Sequence, residues 1–222
     1  MLREILKRPS MQSAILTVFC SLVLSAAIQL LTRIESVSHL CLALLIGVVS
    51  YALADLVSGI VHWLADHYGH ERTPLVGYMF IEPFRAHHED PEALINESWS
   101  ALCIHAALTA APAVFFSLAC TLSLPNQTLA VLFGTAFLIT PLGGVFACAT
   151  HRWAHDESAP AVARKLQRMG LILRPAHHTA HHRDGHLTSF CILNGWMNPI
   201  LDPVIKLIET RTHRQSPRRS HA

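Results

Sequence analysis

The chain has 222 residues, of which 51% are hydrophobic and only 14% charged, with a formal net charge of +2. A length of this order allows one domain or at most two, and so apolar a composition excludes an ordinary soluble domain and points to a membrane protein. The small net charge gives no argument for a nucleic-acid partner, and the 16 histidines are the compositional outlier.

Four stretches meet the roughly 20 apolar residues that a spanning helix needs. They are expected at about 11–31, 38–61, 99–124 and 127–150. A short turn over Thr32 to Val37 joins the first pair, and Pro125-Asn126 makes a tight turn in the second. The first run follows Arg3, Lys7 and Arg8, as a signal peptide would. Its apolar core is too long for one and no clear cleavage site follows, so it is read as a retained helix. With the N-terminus in the cytoplasm, every Lys and Arg of the 17 except Arg33 falls on the cytoplasmic side, a strong positive-inside pattern. The same topology puts the dense histidine clusters on that side.

The expected organisation is a short cytoplasmic N-terminus (1–10), one domain over 11–210 and a basic, disordered tail (211–222). The expected fold is an all-α integral membrane protein: four transmembrane helices with a cytoplasmic, histidine-rich, metal-binding cap. Two segments show helical periodicity but are too short to span. One carries Val162, Leu166, Met169 and Leu173, the other Ile200, Leu201, Val204, Ile205 and Ile208. Each is expected on the membrane surface or packed under the cap. "PLVGYMFIEPF" (74–84) is likewise apolar and too short. The six cysteines form no close pair and read as free thiols rather than a disulfide framework.

Four constellations carry chemistry. In "DLVSGIVHWLADHYG", Asp55, His62 and Asp66 share one helical face. Asp55 inside a span is costly, hence a candidate polar site, with a hydrogen-bonding anchor as the alternative. His62 and Asp66 at i, i+4 can reach one ion. In "FRAHHEDP", the adjacent His87 and His88 diverge by about 100° on a helix, so they can serve two metals. In "THRWAH", His151 and His155 stack at i, i+4, a good bidentate arrangement. In "PAHHTAHHRDGH", His178 and His182 form one such pair and His177 and His181 another, and His186 follows.

Ten imidazoles near one membrane face would repel one another if charged, so neutral rings sharing a metal are the better reading. Ten nitrogens exceed one ion's needs, and the site reads as dinuclear. Imidazole donors leave iron, zinc and copper open.

At these residues the chain resembles the plasmanylethanolamine desaturase (Kua-type) lipid desaturases. Their wider family includes the plant chloroplast enzyme that makes a trans-3 double bond in palmitate of phosphatidylglycerol. The resemblance rests on "ADLVSGIVHWLADHYG", "PLVGYMFIEPFRAHHEDP", "THRWAH" and "LRPAHHTAHHRDGHLTSFCILNGWMNPILD", in that order, over roughly Leu53 to Asp202. It implies a four-helix membrane enzyme with a histidine-bound di-iron centre. It implies oxygen-dependent dehydrogenation of a phospholipid alkyl or acyl chain, with electrons from a donor such as cytochrome b5 or ferredoxin. Carried over by position, the ligands are His62, His87, His88, His151, His155, His177, His178, His181, His182 and His186. Asp66 matches an acidic position that serves as a ligand or as a ligand's partner.

The chain departs from the pattern twice. It reads "DPEALINESW" where the plasmanyl enzymes read about "DPTAITRHDF", so Glu97 replaces a family histidine and becomes a further candidate ligand. Gly185 replaces the proline that usually precedes the last histidine of the block. Competing readings are a lipid hydroxylase with the same centre, a haem protein, and a non-catalytic lipid-binding relative.

Overall fold

A computed structural model describes residues 2–183 and 186–215. Gly185 and residues 216–222 of the expected tail lie outside them. The described residues form helices and no strand. In chain order these are α1 (Leu2–Leu6), α2 (Pro9–Thr32), α3 (Val37–His67), a π-helical turn (Gly77–Ile81) running into α4 (Glu82–Glu89), and α5 (Pro91–Asn96). Then come α6 (Trp99–Ser123), α7 (Gln127–His155), α8 (Ala161–Met169), α9 (Pro175–Arg183) and α10 (Asn198–Gln215). The last helix runs past the Thr210 boundary expected from the sequence.

Helices α2, α3, α6 and α7 are each long and apolar enough to cross a membrane. Local chemistry sets their ends. The side chains of Ser36, Ser98 and Asn126 accept the backbone N–H of His39, Ala101 and Leu129 and so cap α3, α6 and α7, satisfying donors that a helix start leaves free. Pro9 opens α2, where a missing N–H costs nothing.

The central helix is α7, with α3 on one flank and α6 and α2 on the other. Close approach depends on small residues, as expected where lipid removes the hydrophobic drive between helices. A Cβ on Gly143 of α7 would stand 2.5 Å from the Cβ of Ala54 on α3. A Cβ on Gly134 would stand 2.5 Å from Thr121 of α6. Phe19, Leu30, Val114 and Leu138 fill the core shared by α2, α6 and α7. Val18, Leu24, Leu44, Val48 and Phe115 are exposed, which suits a surface facing lipid.

At the end opposite the histidines, Arg33 donates to the Thr121 carbonyl and to the Gln127 side chain. At the histidine end, Gln12 of α2 accepts from the Ser100 hydroxyl of α6. The two short amphipathic segments pack under the bundle on one face only. Ala163 of α8 and Leu201 and Ile205 of α10 are buried, whereas Val162, Met169, Ile200, Val204 and Leu207 face outward.

Candidate metal centre

Helix α3 continues without a break from its apolar span through His62 and Asp66 to His67. Helix α7 likewise carries His151 and His155 on its last two turns. Helix α4 reaches over from one side with His87 and His88, and α9 closes the end with His178, His181 and His182.

The rings sort into two sets. His87, His155, His178 and His182 form one, and His62, Asp66, His88 and His181 the other. Within each set the four ligand atoms lie within 4.8 Å of one another, close enough to hold a metal ion. The 100° step per residue explains the sorting. His87 and His88 leave α4 on different faces and join different sets, and on α9 the i, i+4 pair His178 and His182 joins one while His181 joins the other.

The donor atoms fit a cation. His178 Nε2 lies 2.7 Å from His155 Nε2, 2.9 Å from His151 Nε2 and 3.1 Å from His182 Nε2. A neutral ring nitrogen offers one proton or one lone pair, so it cannot satisfy three such neighbours at once. In the other set, Asp66 Oδ2 is 3.3 Å from His62 Nε2, 3.5 Å from His181 Nε2 and 3.9 Å from His88 Nε2. His62 Nε2, both Asp66 oxygens and both ring nitrogens of His87 are buried without a hydrogen bond. Orphaned buried polar atoms are costly unless something pairs them, and their convergence on two points matches two bound ions. Nitrogen and carboxylate donors of this kind suit iron, zinc or copper.

Backbone carbonyls set the ring orientations. His62 Nδ1 donates to the Phe190 carbonyl at 3.0 Å, and His181 Nδ1 donates to the Thr188 carbonyl at 2.8 Å. A carbonyl only accepts, so in both rings Nδ1 carries the proton and Nε2 is left free as a ligand. His67 Nε2 likewise donates to the His186 carbonyl at 3.0 Å. Nothing in the sequence marks His67 or these carbonyls apart from their nearness to the histidine block and the FCILNGW run.

Four of the rings, those of His87, His88, His178 and His182, are held neutral. Burial, and then neighbouring histidines, lower His87 and His88 to about 2 and His182 to about 4. The same causes hold His178 well below the ordinary range. Neutral imidazoles keep their lone pairs available.

Other candidates stand differently. His151 sits against the first set, through its contact with His178. His186 stacks on His88, with ring centroids 3.9 Å apart and planes 4° from parallel. His177 is exposed and lies in neither set; the helical step from His178 turns it toward the backbone of Gly195. Glu97 is also exposed and outside both sets, with its side chain accepting the N–H of Ser98.

Asp55 anchors a loop. It is fully buried, and its carboxylate accepts the backbone N–H groups of Asn194, Gly195 and Met197. Ser58 and Thr150 bind the N–H and C=O of Ile192 beside it. This stitching holds Phe190, whose carbonyl orients His62.

A cavity of about 940 Å³ runs from the histidines into the bundle between α3, α6 and α7. His87 and His151 line its metal-side end, and Leu53, Ala110 and Phe137 line it deep between the helices. Arg3, Lys7 and Glu82 stand at its rim, where Arg3 pairs with Glu82.

Residues 51–213 match the lipid desaturase domain. The chain is 36% identical over 163 residues to plasmanylethanolamine desaturase of Myxococcus xanthus, covering 73% of this chain and 56% of that protein. It is 36% identical to plasmanylethanolamine desaturase 1 of Mus musculus, covering 72% and 60%. It is 34% identical to fatty acid desaturase 4, chloroplastic, of Arabidopsis thaliana, covering 74% and 50%. The chain thus spans about half to three-fifths of the length of these relatives. No solved structure matches. With its four span-length helices, its histidine sets and this domain match, the chain belongs to the lipid desaturase family, as a multi-pass membrane protein.

Proposed function

We propose that the chain is a membrane lipid desaturase in which the two sets hold a pair of iron ions. Its substrate is the alkyl or acyl chain of a phospholipid, oxidised with O2 and with electrons from a carrier such as cytochrome b5 or ferredoxin. The Lys and Arg distribution supports an orientation with both termini and the histidines in the cytoplasm. The observation that carries the reading is the meeting of two metal-competent sets with the end of a long apolar cavity at His87 and His151.

Bound iron would supply the oxygen chemistry needed to remove hydrogen from an unactivated C–H bond, which no side chain achieves. The protein's own residues do the rest. His62 and His181 present Nε2 because carbonyls hold Nδ1. Asp66 adds negative charge at the second set. Phe84 and Phe190 pack on the His62 ring, with centroids at 4.6 and 5.9 Å, and keep water from it. The cavity takes the hydrocarbon, and the charged residues at its rim face the headgroup. The plasmanyl relatives favour an alkyl substrate and a vinyl-ether product, and the chloroplast relative favours an acyl chain.

The test pairs metal analysis with lipid analysis. Purified protein should carry two irons per chain, one for each set. Cells expressing it with a donor and substrate should gain acid-labile vinyl ethers or a new acyl double bond. Zinc alone, haem absorbance, or unchanged lipids under those conditions would overturn the reading.

A further inference from the structure

The cavity's depth and the residues at its deep end bear on which tail it accepts. Fourteen residues separate His151, at its metal end, from Phe137, at its deep end, both on α7. That is about 21 Å along a helix axis, more than the roughly 15 Å of one leaflet's hydrocarbon. A whole tail therefore fits lengthwise.

The walls that α6 and α7 supply are mostly small. Ala110 and Ala113 of α6 and Ala136 and Gly144 of α7 line the path, and the absence of bulk there is what leaves the space. Ala113, Ala136 and Phe137 line its deep end. Phe137 is the one aromatic lining residue there among those described. Its half-buried ring meets Phe116 edge-on at 4.7 Å and is flanked by Phe133 at 6.4 Å. A ring in contact with two others yields less readily to an overlong tail, and forcing extra methylenes against it is costly.

We propose that Phe137 sets the length of hydrocarbon tail the protein accepts. The tail lies in the cavity with the carbon to be oxidised beside His87 and His151 and its methyl end against the Phe137 ring. This rests on the lipid desaturase reading for the identity of the occupant. Solvation favours no particular tail, because bilayer and cavity are both apolar; steric fit at the deep end makes the choice.

The experiment compares wild type with Phe137→Ala and Ala113→Phe, each expressed in membranes of mixed tail length. Lipids retained through purification are identified by mass spectrometry against the tails of the source membrane, and the tail lengths of any desaturated product are read in parallel. Phe137→Ala should enrich longer tails by about tenfold relative to wild type, the size of a relieved overpacking cost. Ala113→Phe should enrich shorter ones. Bound metal content checks that each variant folds, and Phe137→Leu, expected to shift the same way by less, carries the test if the alanine variant does not. Retained tails of unchanged length in these variants would overturn the proposal. A shifted distribution in a protein that desaturates nothing keeps the length gauge and removes the desaturase reading. Desaturation with an unshifted distribution does the reverse.

Discussion

The rings of His87 and His88 stand 4.2 Å apart, centroid to centroid, yet they belong to different metal-competent sets. One helical step separates them, so α4 contributes to both sets at once. Replacing either should cost one ion. His87→Ala should lose metal from the set with His155, His178 and His182, and His88→Ala from the set with His62, Asp66 and His181. Metal analysis should show each variant falling from two irons toward one, and the double variant toward none. Equal and complete loss in both single variants would mean that the sets fill as one unit.

Asp55 should matter for stability before chemistry. Its buried carboxylate takes three backbone N–H groups of one loop, and hydrogen bonds to a charged acceptor are worth roughly 1.5–3 kcal/mol each. Asp55→Ala leaves those donors buried and unpaired. The expected loss is about 3 kcal/mol or more, read as a lower denaturation midpoint in detergent. Metal content should fall with it, because the loop also holds the Phe190 carbonyl against His62. Asp55→Asn, which keeps one acceptor oxygen, should lose less.

Glu97 gives the opposite expectation. The resemblance to the plasmanyl enzymes implies a ligand position here, yet Glu97 is exposed and its side chain accepts the N–H of Ser98. Glu97→Ala should leave metal content unchanged, and so should His177→Ala. A drop in bound iron in either variant would show that the site closes around that residue when the metal binds.

These contrasts show how far the sequence could be read. The four spans were legible because uninterrupted apolar runs leave few alternatives. Their histidine ends were not fully legible: hydropathy stops at Val61, but the backbone hydrogen bonds of α3 continue to His67. The i, i+4 pairs His62/Asp66 and His178/His182 followed from helical period alone. The division of the histidines into two sets did not, since it depends on how α4 packs between α3 and α9. The same limit explains His177, whose pairing with His181 satisfied the spacing while the helix turned it outward. Asp55 was legible as costly, but its partners lie 139 and more residues away and are backbone groups, which side-chain patterns do not reveal.

The neutral histidines predict how the metal-free protein responds to acid. His87 and His88 are lowered to about 2 and His182 to about 4, chiefly by burial and then by neighbouring imidazoles. In the unfolded chain a histidine titrates near 6.5. Between about pH 4 and 6.5 the unfolded chain therefore binds protons that the folded one refuses, and stability falls as pH falls. Thermal unfolding of metal-free protein should show a lower midpoint at about pH 5.5 than at about pH 7.5. His182→Ala should flatten that dependence, because one depressed group is gone. Loaded protein should start higher and converge on the metal-free curve in acid, since protons compete with the metal for the same nitrogens. A midpoint that is flat or rises on acidification would mean that these rings are not held neutral in the fold.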